Sequence, residues 1–212
     1  MSKAIATRIK NVVPKIIHHN QTGFVEDCYI GDQMDFTAKQ DIPGLLIFID
    51  FQKAFDSLER NFLERCLGSF NFGPNFIRWV MTFYKNIQSW IINNGFTSNY
   101  FSIERVVRQG DPLSPYLFVV AVETLAIAIR QNSKINGITS DKKETKLLQY
   151  ADDTTAVLSD INSAQTLFKS VDDFKKLSGL IPPKLKEYGL DLQEKIKRNP
   201  LVLNGVVNQL KP

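Results

Sequence analysis

Cysteine and histidine are scarce, with two of each in 212 residues. Cys28 and Cys66 are far apart, and so few imidazoles argue against structural zinc; disulfides are not expected, and a reducing compartment is. Long apolar runs are missing as well. The longest, Tyr116 to Ile129, is interrupted by Glu123 and is too short to cross a bilayer comfortably. The N-terminus lacks the apolar core of a secretion signal, so an intracellular location, nucleus or cytoplasm, is the expectation, with no membrane partner. It opens inside what reads as a helix, which suggests a fragment. No internal repeat or long low-complexity tract is present. Charge of one sign is only slightly in excess: Lys+Arg 26 against Asp+Glu 22 gives +4 and a pI near 9.0. That tolerates a nucleic-acid partner without requiring one. Hydrophobic residues at 43% and charged residues at 23% are ordinary for a globular chain, long enough for one fair-sized core or two small domains.

What is there centres on Tyr150-Ala151-Asp152-Asp153. The flanks, Leu147 to Tyr150 and Thr154 to Leu158, have the length and β-prone residues of strands, so the pair between them reads as a hairpin turn. Neighbouring side chains of a regular strand point to opposite faces, and two aspartates share a face only at the bend. Asp-Asp is also a common turn dipeptide, because its side chains bond nearby backbone N–H groups. A second acidic strand end shifts the balance. Gly44 to Ile49 is a continuous apolar run, expected as a strand buried on both faces, and it stops abruptly at Asp50. Acids gathered from distant parts of the chain call for a positive partner, and Mg²⁺ prefers carboxylate oxygens.

The remaining segments supply a frame. Ser2 to Val13 has helical spacing in Ala4, Ile5, Ile9 and Val12, with Pro14 ending or kinking it. Asp56 reads as an N-cap with Glu59 completing a capping box, ahead of an apolar face of Leu58, Phe62, Leu63, Cys66 and Leu67. Gly73-Pro74 breaks the chain before a helix from Asn75 to Tyr84. Ser89 to Asn93, an Asn94-Gly95 turn, and Phe101 to Val107 suggest a ribbon of strands. Ser114 suits a cap and Pro115 the first turn of a largely apolar helix running to about Arg130. Gly110, just before it, permits close backbone approach to a ligand. Ser163 to Leu177 reads as an amphipathic helix, and the texture changes at Ile181-Pro182-Pro183.

Three segments, in order, carry a resemblance: Phe48-Ile49-Asp50-Phe51-Gln52-Lys53-Ala54-Phe55-Asp56, Arg108-Gln109-Gly110-Asp111-Pro112-Leu113-Ser114-Pro115, and Tyr150-Ala151-Asp152-Asp153. Asn20-Gln21-Thr22-Gly23-Phe24 upstream and Ser178-Gly179-Leu180 downstream also fit. Together they resemble the reverse transcriptase domain of non-LTR (LINE-type) retrotransposons, over about Ser2 to Leu180. The resemblance implies an α+β fold, a polymerase palm-like antiparallel sheet with helices on one face and a partial fingers region. Residues 1–180 would be this fingers/palm fragment and 181–212 an unassigned basic tail. It implies an RNA-directed DNA polymerase working on an RNA template, a DNA primer and dNTPs. Asp50 and Asp152 would bind two Mg²⁺ ions (Mn²⁺ as substitute), with Asp153 assisting and the Phe51 carbonyl as a further ligand. Two such ions, about 3.5–4 Å apart, clamp the attacking and leaving oxygens of a phosphoryl displacement. Phe55 would exclude a ribose 2′-OH, and Gln109 and Gly110 would contact nucleotide and template. The chain departs from the family at Cys28, where an Arg is usual, in a short stretch from Gly31 to Pro43, and beyond Leu180, where no next motif and no thumb are recognised. The alternative is a degenerate or domesticated fragment that at most binds nucleic acid.

Overall fold

The computed structural model describes residues 2–24, 45–103, 110–140 and 143–182. Its helices are α1 (Ser2–Lys10), α2 (Val13–Ile16), α3 (Ala54–Ser57), α4 (Arg60–Ser69), α5 (Pro74–Phe83), α6 (Ser114–Gln131) and α7 (Ile161–Ser178). Its strands are β1 (Leu45–Ile49), β2 (Gln88–Ser89), β3 (Ile92–Asn93), β4 (Phe96–Thr97), β5 (Phe101–Ser102), β6 (Ile138–Ser140), β7 (Lys143–Thr145), β8 (Leu147–Tyr150) and β9 (Asp153–Leu158).

β1, β9 and β8 form an antiparallel sheet in that order, with β9 in the centre. The fold is mixed α+β, as expected. β1 alternates buried and half-buried residues rather than being buried on both faces. Leu45, Ile47 and Ile49 face the main core with Leu147, Ala156 and Leu158, while Leu46 turns to a small second cluster with Leu148, Val157 and Ile138. The unbroken apolar run therefore serves two unequal cores, one on each face of the sheet.

α7 packs on β1 and β9 through Ala164, Leu167, Val171 and Phe174, and α6 packs against α4 and α7. α6 is apolar nearly all round, from Leu117 to Ile129, because it runs through the interior. Its one buried acid, Glu123, forms an ion pair with Arg130. Burial raises the Glu123 pKa and the Arg130 charge opposes the rise. Cys66 of α4 is a free, buried thiol pushed up to about 11 by burial, so it stays neutral near pH 7.

Several local expectations are corrected. Ile5, Ala6, Ile9 and Val13 form the buried face of the first helices, and Ala4 and Val12 are exposed. Pro14 starts α2 rather than simply ending α1. Asp56 lies inside α3, and α4 begins after Glu59 with no side-chain cap, so there is no capping box. Ser114 is the first residue of α6 and not its cap; no side chain caps this helix, and Asp111 Oδ1 accepts from the Leu113 N–H at 3.1 Å just ahead of it. Asp160 caps α7, accepting from the Ser163 N–H at 2.8 Å. The ribbon forms as two short strand pairs around an Asn94-Gly95 turn, both turn residues having positive φ. Residues 104–107 of its expected second arm lie outside the described residues. The β6–β7 hairpin was not anticipated.

Candidate active site

The register of the central sheet decides where the acids go. Ile49 is paired with Thr154, and Tyr150 with Asp153. Asp50 therefore leaves β1 at the end where the β8–β9 turn stands, although Asp50 and Asp152 are about a hundred residues apart. The turn is a two-residue loop, Ala151-Asp152, with Ala151 at φ 55. That left-handed conformation costs an alanine about 1–2 kcal/mol, and the surroundings must enforce it.

Asp50 and Asp153 are exposed and Asp152 is half-buried. The Asp153 carboxyl is held above its ordinary value, first by desolvation and then by the negative charges of Asp152 and Asp50. Asp153 therefore feels the charges of both Asp152 and Asp50. None of the three forms an ion pair among the described residues. Nor, among those residues, is any group of three His, Cys, Asp or Glu side chains arranged to hold a metal ion. The donor chemistry suits a hard cation, but the carboxylates alone do not close a cage.

The other expected residues fall as follows. Phe51 is 2% exposed, with its ring in the core 6.4 Å from that of Phe174, leaving only its backbone to serve a site. Phe55 is half-buried on α3 and stacks on Phe118 of α6, ring centroids 4.7 Å apart at 27°. Gly110 has φ 84 and open space around it, so the backbone there needs glycine for its conformation and not for lack of room. Gln109 lies outside the described residues, as do Arg108, Cys28 and the 31–43 stretch.

Both acidic loops are braced by segments to which the sequence assigned no role. Behind the turn, residues 20–23 run alongside β8: the Gln149 N–H donates to Asn20 O and the Thr22 N–H to Gln149 O, each at 2.8 Å. Behind Asp50, the Gln52 N–H donates to Ile181 O at 2.9 Å, and the Glu59 N–H to Ser178 O at 2.8 Å. A hint was available in the sequence, since these are the two flanking segments that shared the resemblance while carrying no acid.

Among the described residues, no helix is long and apolar enough to cross a membrane. The sequence is 26% identical over 205 residues to the Transposon TX1 uncharacterized 149 kDa protein of Xenopus laevis, covering 88% of this chain and 16% of that one. It is also 26% identical to the retrovirus-related Pol polyprotein of the type-2 retrotransposable element R2DM of Drosophila melanogaster, covering 80% of this chain and 14% of that one. The chain thus spans about a sixth of the length of these relatives. Its fold is similar to that of apo telomerase from Candida tropicalis truncated from its C-terminal domain, with TM-score 0.53 and 15% identity, over 85% of this chain and 38% of that one. Residues 1–188 match the family reverse transcriptase (RNA-dependent DNA polymerase). With most of its length inside that match, and with the strand register that brings the acids to one sheet end, the chain belongs to the reverse transcriptase family.

Proposed function

We propose that this chain carries the catalytic centre of an RNA-directed DNA polymerase of the retrotransposon type, extending a primer 3′-OH with dNTPs on an RNA template. The observation that supports the reading is the strand register, which sets Asp50, at the end of β1, beside the β8–β9 hairpin that carries Asp152 and Asp153.

In the reaction a bond forms between the primer 3′-oxygen and the α-phosphorus. The α–β phosphoanhydride bond breaks, pyrophosphate leaves, and the hydroxyl proton passes to solvent. Divalent cations, when bound, supply the positive charge that favours the alkoxide and neutralises the pyrophosphate. Asp50 and Asp152 would hold them, with Asp153 and the Phe51 carbonyl as further oxygen donors. The chain's own part is placement: two rigid strands present the acids, and positioning accounts for much of the catalysis in such sites. Phe55, stacked on Phe118, would be the side chain that excludes a 2′-OH from the incoming sugar. The family resemblance assigns Gly110 and Gln109 to contact with nucleotide and template.

Primer extension on an RNA template with Mg²⁺ tests this. Wild type should extend and Asp152→Asn should not, while both bind RNA with the same salt dependence. Equal, negligible extension by both with retained salt-sensitive binding would leave a nucleic-acid-binding fragment in place of an enzyme.

A further inference from the structure

Gln21 is fully buried, with 0% exposure, and its amide is spent on the turn between the two acids. Its Oε1 accepts from the Ala151 N–H at 2.9 Å and from the Gly23 N–H at 2.9 Å, while its Nε2 donates to Ala151 O at 3.2 Å. One side chain thus grips the peptide groups on both sides of Ala151, the residue forced into the left-handed region at φ 55. Gly23 completes the grip. A Cβ at that position would stand 2.0 Å from Ala151 N and 2.6 Å from its Cα, so backbone lies directly on backbone. Asn20 and Thr22 anchor the segment to β8, Asn20 Nδ2 donating to Leu147 O at 2.9 Å and Thr22 Oγ1 to Gln149 O at 3.1 Å.

This arrangement is specific for an amide. An aliphatic side chain would strand two buried N–H groups and one carbonyl, and a carboxylate would turn an oxygen toward Ala151 O and add a fourth negative charge beside three. The side chain reaches the turn from 130 residues away in sequence. Its contacts are to the residue immediately before Asp152, whose backbone direction sets where both aspartates point.

We propose that Gln21 is a positioning residue of the polymerase site, holding Ala151 in its left-handed conformation so that Asp152 and Asp153 are aimed together at the end of β1. The proposal rests on the reading of those carboxylates as cation ligands. Residues behind a ligand typically change metal affinity by roughly 10–100-fold, and that is the effect expected here.

The test is Mn²⁺ binding to the whole chain, followed by the loss of the free-ion electron paramagnetic resonance signal, for wild type, Gln21→Asn and Gln21→Met. Thermal unfolding and RNA binding are measured on the same samples. The expected result is roughly tenfold weaker Mn²⁺ binding in both variants, in protein that is folded at the assay temperature and binds RNA as before. Adding Ala151→Gly to Gln21→Met should recover part of that affinity, because glycine accepts the left-handed conformation without the amide. A purely structural role predicts lower thermal stability with unchanged Mn²⁺ affinity, and that result overturns the proposal, as does failure of Ala151→Gly to restore binding. If Gln21→Met does not fold, Gln21→Asn, which keeps a neutral amide but is one methylene too short to make all three contacts, decides alone. Wild type that binds no Mn²⁺ removes the cation-site reading and this proposal with it, whereas wild-type binding with no change in the variants removes this proposal only.

Discussion

Ile49 is paired with Thr154, and each has an aspartate as its neighbour on the same side of the sheet, Asp50 after one and Asp153 before the other. The pairing gathers like charge at one edge. A carboxyl with a raised pKa holds its proton more tightly in the folded protein than in the unfolded chain. Its folded form is therefore favoured at low pH, and stability is lost as pH climbs from the ordinary value of 3.8 through the raised one. Asp153→Asn abolishes that loss. The metal-free variant should melt at a higher temperature than wild type at pH 7, with the gap closing as the pH falls below about 4. Added Mg²⁺ should raise the wild-type melting temperature more than that of the variant, since a ligand stabilises only the state that binds it. Scanning calorimetry at several pH values checks both, and a variant no more stable than wild type at pH 7 would mean the carboxylates do not crowd one another.

Phe55 owes its orientation to Phe118, on the largely buried helix α6. If its ring rejects the ribose 2′-OH, Phe55→Val should raise ribonucleotide use relative to deoxyribonucleotide on the order of tenfold, the scale on which a change of pocket size alters selection. Phe118→Leu touches no nucleotide but releases the ring, and should shift selection in the same direction by less. Single-nucleotide extension with matched rNTP and dNTP measures the ratio. An unchanged ratio in Phe55→Val takes the residue out of this role.

How much of this was legible in sequence depends on the range of the interaction involved. The hairpin and its strands were readable because hairpin chemistry is local, although the turn is Ala151-Asp152 and Asp153, expected in the turn, opens β9 opposite Tyr150. The helix from Ser114 was readable because apolar residues dominate it. Asp50 was suggestive only as a strand end; that β1 lies beside β9 is a fact of register, which no local pattern carries. The cap expected at Ser114 failed because the helix starts at that residue: its N–H donates to Asp111 O, and its buried hydroxyl has no hydrogen-bond partner. The brace from Gln21 was invisible because a polar residue between turn formers reads as solvated loop, and only the neighbouring chain makes it core.

His18 reports on that brace through its protonation. Its Nδ1 accepts from the Asn20 N–H at 3.2 Å, so the ring must be neutral there with its proton on Nε2. Its pKa is lowered from 6.5 to about 4 by burial first, then by the charges of Arg130, His19 and Lys143. The unfolded chain therefore binds the proton more readily between those values, and stability falls as the pH drops from 6.5 toward 4. His18→Asn, which cannot take up a proton, should flatten that part of the stability profile. Urea unfolding at pH 7, 6, 5 and about 4.5 tests it against the linkage slope; identical profiles for the two proteins would show that His18 does not carry the dependence.

Gly179 ends α7 at φ 75, its N–H donating to Lys175 O at 3.0 Å. Unlike a glycine that merely closes a helix, it also lies on the loop that follows Asp50. A Cβ there would meet Ser57 O at 2.7 Å and Glu59 Cγ at 2.7 Å, on either side of the backbone bond from Glu59 to Ser178. Alanine must therefore both adopt the left-handed conformation and push a carbonyl aside, for a combined loss of about 2–4 kcal/mol. Gly68 provides the contrast: it is exposed within α4 and a Cβ would meet nothing within 4 Å. There alanine should gain roughly 0.5–1 kcal/mol from helix propensity and a less flexible unfolded chain. Denaturant unfolding of the two variants should move in opposite directions. If Gly179→Ala is as mild as Gly68→Ala, then the contact between the end of α7 and the Asp50 loop is too loose to hold that aspartate in place.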